Sequence, residues 1–255
     1  MRNDDGAGGT VKSGARLLRI VRLLQEHGGL GVSEVADRLG KPRGSVHRYL
    51  KTLDEDGYVV NDDGRYRLSL RFLDHGVHVQ RRHDLYEAAT EKVDALAHAV
   101  DERAWCLVEE RGWGVFLYGA VGANAVATDA RVGAHVPLHS TSGGKAILAS
   151  LAPERVDDIV DRRGLARRTD HTIADPDELR AELDEVRERG YALNLEESID
   201  GLHAVGAPIV ADGEVRGALS VSGAANRLSE SRCRNEIADR VLTAANDVEL
   251  DLTYG

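Results

Sequence analysis

The sequence predicts an α+β protein with an N-terminal winged helix-turn-helix, a linker helix and a C-terminal domain built on a mainly antiparallel sheet. Residues 31–57 contain two short helical patterns separated by a glycine turn. An Asp-Gly hairpin pattern follows directly. From residue 104 onward, strand and helix patterns follow one another without strict alternation, which is typical of α+β domains. We therefore expect a small head and a larger, sheet-based body.

Residues 1–10 predict a disordered tail, because they are polar and contain no apolar run. They lack the apolar segment of a signal peptide. No apolar stretch in the chain approaches the ~20 residues that a membrane-spanning helix needs. These features predict a cytoplasmic protein that makes no membrane contact.

Residues 11–69 are expected to form the winged helix-turn-helix. A first amphipathic helix is predicted over residues 13–27. Ser33 is expected to cap the second helix and Gly40 to end it. Pro42 suits the first turn of the third helix, because its missing N–H would have no partner there. Two ordinary surface helices are the alternative for this pair.

The third helix combines an apolar stripe with a basic face. Val46, Leu50 and Leu53 recur at spacings of four and three, which predicts one buried stripe. Residues 58–60 and 65–68, joined by an Asn-Asp-Asp-Gly turn, predict the wing. Polar and basic side chains of the helix pair and the wing are expected to contact DNA. These candidates are Ser33, Lys41, Arg43, Ser45, His47, Arg48, Lys51, Arg65 and Arg67.

The distribution of charge also favours a DNA-binding head. The whole chain carries a net charge of −10, which by itself argues against nucleic acid. Residues 10–53 carry +6, whereas residues 54–255 carry −15. A basic segment on an acidic body is typical of a DNA-binding domain joined to a domain that does not bind DNA.

Lysine is rare in this chain and accounts for only five of its 33 basic residues. An arginine-rich, lysine-poor and acidic composition resembles that of proteins from extreme halophiles such as haloarchaea. A GC-rich genome would also favour arginine over lysine, so both explanations stay open.

Residues 70–83 are predicted to form a linker helix that could also self-associate. His75, His78 and His83 lie close together along it. A metal site would need ligands on one face with acids or cysteines nearby. We therefore favour solvated or dimer-contact histidines, and we expect no metal and no cofactor.

Residues 84–255 are expected to form the sheet-based domain, with Asp84 capping its first helix. Strands are predicted over residues 104–109, 115–118, 125–128, 136–138, 192–196, 204–210 and 215–222. Helices are predicted over residues 142–151, 153–163 and 176–189, and from a cap at Ser229 to about residue 250. Cys106 and Cys233 are interpreted as small buried residues.

The patterns of common catalytic sites are incomplete. Residues 142–145, SGGK, match the S-x-x-K pattern of serine acyl enzymes, but no lysine follows to supply its K-T-G. No phosphate-binding loop, G-x-S-x-G or H-E-x-x-H pattern occurs. The chain is therefore not expected to be an enzyme. Gly143 and Gly144 instead favour a helix start whose N–H groups bind a carboxylate.

Together, these motifs resemble those of IclR-family transcriptional regulators over nearly the whole chain. In the head the resemblance rests on residues 33–36 (SEVA) and 45–48 (SVHR). In the body it rests on residues 131–133, 137–146, 190–192, 196–197, 201, 207–209 and 217–223, and on Arg227. Each stretch is weak alone, but their order and spacing are specific.

The resemblance implies a GAF-like effector domain behind the winged helix-turn-helix, and assembly as a homodimer or a dimer of dimers. It implies two further partners, double-stranded operator DNA and a small organic acid, such as a carboxylate or a sugar acid. With Gly144 added from the glycine pattern, the implied ligand-binding residues are Ser142, Gly143, Gly144, Asn194, Leu202, Ala204, Ser220 and Ser222.

The two serines, 220 and 222, alternate with Leu219 and Val221 along one predicted strand. They therefore point to one face, and the two apolar residues point to the other, which is expected to be core. Serines on a solvent face are the alternative. Two other functions also stay open. One is an enzyme or carrier with a DNA-binding head, and the other is an architectural DNA-binding protein that senses nothing.

Overall fold

The computed structural model describes residues 11–255 of the chain, so the tail predicted at residues 1–10 lies outside the described residues. The chain divides into two compact units, Met1–Val79 and Gln80–Gly255.

The described part of the first unit contains four helices and a small antiparallel sheet, and the last helix ends one residue beyond Val79. In chain order its elements are α1 (Lys12–His27), β1 (Leu30–Gly31), α2 (Val32–Leu39), α3 (Arg43–Glu55), β2 (Val59–Asp62), β3 (Arg65–Leu68) and α4 (Arg71–Gln80). The sheet order is β1-β3-β2, and both strand pairs are antiparallel. Three helices followed by a hairpin confirm the predicted winged helix-turn-helix. The short strand β1 was not predicted.

The predicted stripe of α3 forms part of the core of this unit. Val46, Leu50 and Leu53 are all buried. Gly40 ends α2 in the left-handed conformation, with φ of 60°. The wing turns at Asp63 and Gly64, which also have positive φ and suit a tight hairpin turn.

Two predicted helix starts were wrong. Ser33 does not cap α2, because the helix already begins at Val32 and Gly31 is its N-cap. The Glu34 carboxylate accepts the Gly31 N–H at 2.8 Å and so satisfies a donor at this end. Pro42 is the N-cap of α3 and does not lie within its first turn.

The linker helix α4 contains no buried residue. Its Phe72 and His75 pack on the ring of Tyr58, and the Tyr58 hydroxyl lies 3.0 Å from Nε2 of His75. Over residues 11–255, no three His, Cys, Asp or Glu side chains are grouped so that they could hold a metal ion. The helices described here include none with the length and apolarity needed to span a bilayer.

The second unit is built on a six-stranded sheet. Its strands are β4 (Arg103–Glu110), β5 (Trp113–Val121), β6 (His135–Val136), β7 (Ala192–Leu195), β8 (Leu202–Ala211) and β9 (Glu214–Ala224). The order is β6-β5-β4-β9-β8-β7, and every neighbouring pair is antiparallel. This topology confirms the predicted antiparallel sheet.

Helices cover both faces of this sheet. They are α5 (Asp84–Val100), α6 (Ser142–Ser150), α7 (Pro153–Arg163), α8 (Pro176–Arg189), α9 (Glu230–Arg232) and, after a π-helical turn at Cys233–Ile237, α10 (Ala238–Tyr254). One apolar cluster joins α5 and α10 to one face of the sheet, and another joins α6, α7 and α8 to the opposite face. The result is three layers with the sheet in the middle.

Several details of this unit differ from the prediction. Asp84 is the first residue of α5, and the N-cap is His83 without a side-chain bond. Residues 125–128 form no strand. The Ala125 N–H donates to the Gly122 carbonyl in a turn, so it cannot pair with a neighbouring strand. The strand predicted at residues 136–138 is the two-residue β6.

Other details agree with the prediction. Ser229 caps the last helical segment, because its side chain accepts the Arg232 N–H. Cys106 and Cys233 are both buried. Burial raises the pKa of the Cys106 thiol to about 12 and that of Cys233 to about 11, so neither is a ready nucleophile.

Candidate functional sites

The outer face of α3 carries the basic side chains that are candidates for DNA contact. Arg43, His47 and Lys51 follow one another at intervals of four residues and are exposed, as is Arg48. Residues four apart lie on one side of a helix. Lys51 also pairs with Glu55 at 3.5 Å, but both side chains are exposed, so the pair contributes little stability. The basic row is therefore available to a polyanion.

The other candidates of this unit lie on the elements around α3. Lys41 is exposed in the turn that precedes the helix, and Ser45 is half-buried in its first turn. Ser33 is half-buried in the first turn of α2, and Arg67 is exposed on β3.

Arg65 differs from the other candidates, because its guanidinium is engaged within the unit. It donates to the Gly29 carbonyl at 2.7 Å and to Oε2 of Glu34 at 3.2 Å. The N–H of Gly31, and then the charge of Arg65, hold the pKa of the Glu34 carboxyl below its usual value. Arg65 thus ties the wing to the start of α2, a contact that no sequence pattern indicated.

In the second unit, most of the candidate ligand-binding residues meet on one face of the sheet. Cross-strand pairing places Asn194 opposite Ala204, and Ala204 opposite Ser222. One step along the strands, Gly206 lies opposite Ser220. Directly opposite residues of antiparallel strands share a face. These positions therefore form a patch, here called the ligand face, across β7, β8 and β9.

The alternation along β9 has the predicted consequence. Leu219 and Val221 point away from the ligand face and are fully buried in the core beneath α5 and α10. Leu202, two residues before Ala204, lies on the ligand face and is half-buried. The serines are not solvent-facing, because Ser220 is buried and Ser222 is half-buried.

The first turn of α6 lies directly on the ligand face. A Cβ atom placed on Gly206 would stand 2.5 Å from the backbone nitrogen of Gly143. A Cβ on Gly143 would be 3.6 Å from Oγ of Ser220. Ser142, the first residue of α6, is buried at the same contact. The backbone of this helix start and the Ser220 hydroxyl are therefore neighbours.

The cap of α6 decides which N–H groups a ligand could use. Oγ1 of Thr141 accepts the Gly144 N–H at 3.2 Å, and its carbonyl accepts the Lys145 N–H at 2.8 Å. The first N–H groups of a helix have no partner within the helix. Those of Ser142 and Gly143 therefore have no acceptor within α6, and they lie at its positive end. Gly144 instead packs against Leu138, where a Cβ would clash with the backbone.

Asn194 is engaged in holding the backbone. Its Nδ2 donates to the Ser140 carbonyl at 2.9 Å and to Oγ of Ser198 at 2.8 Å. Its Oδ1 accepts the Glu197 N–H at 2.9 Å. Asn194 thus joins β7 to the segment that leads into α6, and it positions the ligand face.

Lys145, on α6, forms a buried ion-pair network. Its side chain is only 1% exposed, and Nζ lies 2.6 Å from Oε1 of Glu197 and 3.1 Å from Oε1 of Glu182. Arg189 also pairs with Glu182, at 2.8 Å. Burial raises the pKa of the Glu197 carboxyl, against the lowering effect of the Lys145 ammonium. Lys145, the lysine of the S-x-x-K pattern, is therefore held in ion pairs with Glu182 and Glu197.

Two residues of the ligand face were not predicted from the sequence. Arg103 on β4 lies directly opposite Ser222, and Trp105 lies directly opposite Ser220. The Arg103 guanidinium carbon stands 5.4 Å from the centre of the Trp105 ring. Local pattern could not reveal them, because β4 and β9 are more than a hundred residues apart in the chain.

Comparison with known proteins agrees with this architecture. The model of the IclR helix-turn-helix domain matches residues 13–63, and that of the bacterial transcriptional regulator IclR C-terminal domain matches residues 77–250. The chain is 32% identical to the probable HTH-type transcriptional regulator ArcR of Halobacterium salinarum, over 95% of this chain and 94% of that protein. It is also 32% identical to the glycerol operon regulatory protein of Streptomyces coelicolor, over 96% and 98%.

Solved structures show the same fold. The Thermotoga maritima IclR structure superposes with a TM-score of 0.81 at 27% identity, over 95% of this chain and 99% of that one. An IclR homologue from Microbacterium hydrocarbonoxydans, complexed with 4-hydroxybenzoate, gives 0.80 at 24% identity, over 93% and 98%. These likenesses span both units, and the relatives are regulators of transcription and not enzymes. The chain belongs to the IclR family of transcriptional regulators.

Proposed function

We propose that this protein binds an operator through α3 and the wing, and that a small organic acid bound at the ligand face controls that binding. The observation that carries the DNA-binding part is the row of exposed basic side chains on α3, Arg43, His47 and Lys51, with Arg48 beside it. Such a helix can enter the major groove, where arginine reads guanine and lysine contacts phosphate. Arg67 on the wing adds a phosphate contact, whereas Arg65 contributes mainly to the wing's position.

The effector is proposed to be a carboxylate or a sugar acid. The N–H groups of Ser142 and Gly143 favour an anion, and the hydroxyls of Ser220 and Ser222 can donate to it. An IclR homologue of the same fold holds 4-hydroxybenzoate, which is a carboxylate. An apolar ligand would leave these polar groups unsatisfied, which costs free energy.

The protein is proposed to act as a homodimer or a dimer of dimers. One winged module offers little contact area with DNA. A two-fold symmetric protein matches two half-sites that lie about one helical turn of DNA, or a multiple of that distance, apart. Leu73 and Val79 on α4 are 60% and 53% exposed, and Leu70, just before the helix, is 82% exposed. Exposed apolar side chains at this spacing suit a contact between copies. Light scattering of the whole chain should therefore exceed the monomer mass, and Leu73→Lys should lower it.

Selection of bound sequences from random duplex DNA tests the proposal. The wild type should enrich a pseudo-palindromic site, and Arg48→Ala should weaken binding to it by about 1–3 kcal/mol if Arg48 reads a guanine. Arg240→Ala, which removes an exposed arginine from α10, is the matched control and should leave affinity unchanged. Full affinity in the Arg43→Ala, Arg48→Ala double variant would contradict the assignment of α3.

A further inference from the structure

We propose that Arg103 binds the carboxylate of the effector and makes the site selective for anions. This inference rests on the proposed function, because it assigns a role at the same ligand face. It adds a charged residue that neither the sequence motifs nor the family comparison indicated.

The position of Arg103 places it beside the residues already assigned to the site. It is the direct cross-strand partner of Ser222, and Trp105, two residues further along β4, is the partner of Ser220. Directly opposite side chains share a face. The guanidinium, two serine hydroxyls and the indole therefore line adjoining positions on β4 and β9.

The Nε atom of the Arg103 guanidinium also lacks the hydrogen-bond partner that a buried donor normally has. It is buried, yet it has no hydrogen-bond acceptor within residues 11–255. A buried polar atom without a partner costs free energy. A ligand carboxylate would supply the missing acceptor.

The acid next to Arg103 in the chain, Glu102, is engaged elsewhere and does not neutralise this charge. Glu102 is buried, and Arg227 engages both of its carboxylate oxygens, at 2.7 and 3.0 Å. Arg103 instead packs on the Trp105 ring, a contact that holds a guanidinium by cation–π attraction without satisfying its N–H groups. The Trp105 ring thus orients the Arg103 guanidinium and leaves its N–H groups for the ligand.

Ring, guanidinium and helix start together indicate the chemistry of the ligand. A carboxylate accepts from an arginine fork in a planar, charge-assisted geometry. The Ser142 and Gly143 N–H groups offer a second anion-binding element next to Ser220. A neutral amide of the same acid has the same shape but cannot neutralise the arginine.

Calorimetric titration of the full-length protein tests this role. The probes are lactate, gluconate and 4-hydroxybenzoate, each compared with its neutral amide. We expect at least one acid to bind the wild type more tightly than its amide. Arg103→Met, which retains the packing on Trp105, should weaken the binding of that acid by about ten- to hundredfold. Arg103→Lys, which retains the charge but not the planar guanidinium, should lose less affinity for the acid than Arg103→Met does.

The outcomes separate this inference from the proposed function. Arg240→Met removes an exposed arginine from α10 and should bind the acid as the wild type does. If an acid binds and Arg103→Met and Arg103→Lys both bind it equally well, the role of Arg103 is contradicted while the effector site stands. If the amides bind as tightly as the acids, or none of the acids binds, the organic-acid effector itself is contradicted.

Discussion

Gly143 at the start of α6 touches the sheet at Gly206, with no room between them for a side chain. A Cβ on Gly206 would lie 2.5 Å from the Gly143 nitrogen and 2.6 Å from the carbonyl carbon of Ser142. This contact sets the distance between the helix start and the serines of β9. The two glycines therefore determine the depth of the proposed effector site.

Gly206→Ala should move α6 away from the sheet. Overpacking of this kind costs about 1–3 kcal/mol, and the displaced N–H groups should bind a carboxylate less well. Urea unfolding and ligand titration measure the two effects. Gly76→Ala adds the same methyl group to α4, where nothing lies within 4 Å, and serves as the control. Equal stability of the two variants would show that the contact is not tight.

Lys145→Met should destabilise the second unit by about 3–5 kcal/mol, because it leaves Glu197 buried without its cation. Adding Glu197→Gln should recover part of that loss, because the orphaned charge is then removed. Lys92→Met breaks a surface pair with Asp251 at 3.2 Å and should cost no more than about 1 kcal/mol. Similar unfolding free energies for the two lysine variants would mean that the buried network does not stabilise the unit.

Acid should weaken the fold through His139. This side chain is buried, with Nε2 3.2 Å from the Ala166 carbonyl, and burial lowers its pKa below the ordinary value. The unfolded chain therefore takes up the proton at higher pH than the native protein, so stability is lost as pH falls below about 6.5.

Urea midpoints from about pH 8 to about pH 5.5 bracket that value and measure the effect. His139→Gln should reduce the fall in midpoint, whereas the exposed His171→Gln should leave it as in the wild type. The same pH dependence in His139→Gln and the wild type would exclude His139 as the titrating group.

Local patterns in the sequence were sufficient for the elements that follow from periodicity and turn chemistry. The stripe of Val46, Leu50 and Leu53 identified α3, and the two predicted helices Pro153–Arg163 and Pro176–Arg189 begin and end as expected. Each of these features is decided by residues within a few positions of one another.

Features that depend on distant residues could not be predicted. The pairing of Arg103 with Ser222 depends on the register between β4 and β9, which no local pattern specifies. The family resemblance implied Asn194 as a ligand-binding residue, but its amide is bonded to Ser140, Ser198 and Glu197. Gly144 was grouped with Gly143, but the Thr141 cap uses its N–H.

High salt is expected to stabilise the fold if the composition reflects a halophile. Residues 54–255 carry a net charge of −15, and that charge repels itself at low ionic strength. At about 1 M salt the screening length falls to about 3 Å, which removes most of this repulsion. Circular dichroism across a KCl series should show helicity and cooperative unfolding improving with salt. Full cooperativity in dilute buffer would favour the alternative, a GC-rich genome.

The central claim is that the ligand face of the second unit controls DNA binding by the first. Such control is a coupling between two sites, typically about 1–3 kcal/mol, and it needs a ligand with different affinities for two states of the protein. Removing the two serine hydroxyls should therefore abolish the response to the acid without altering α3.

The most direct measurement follows operator affinity as the acid that binds the protein is added at increasing concentration. It compares the wild type, the double variant Ser220→Ala, Ser222→Ala and the control Ser150→Ala, whose residue is exposed. The double variant should bind the operator as the wild type does without ligand, and it should no longer respond to the acid, whereas Ser150→Ala should respond fully. An unchanged effector midpoint in the double variant would place the controlling site elsewhere in the chain.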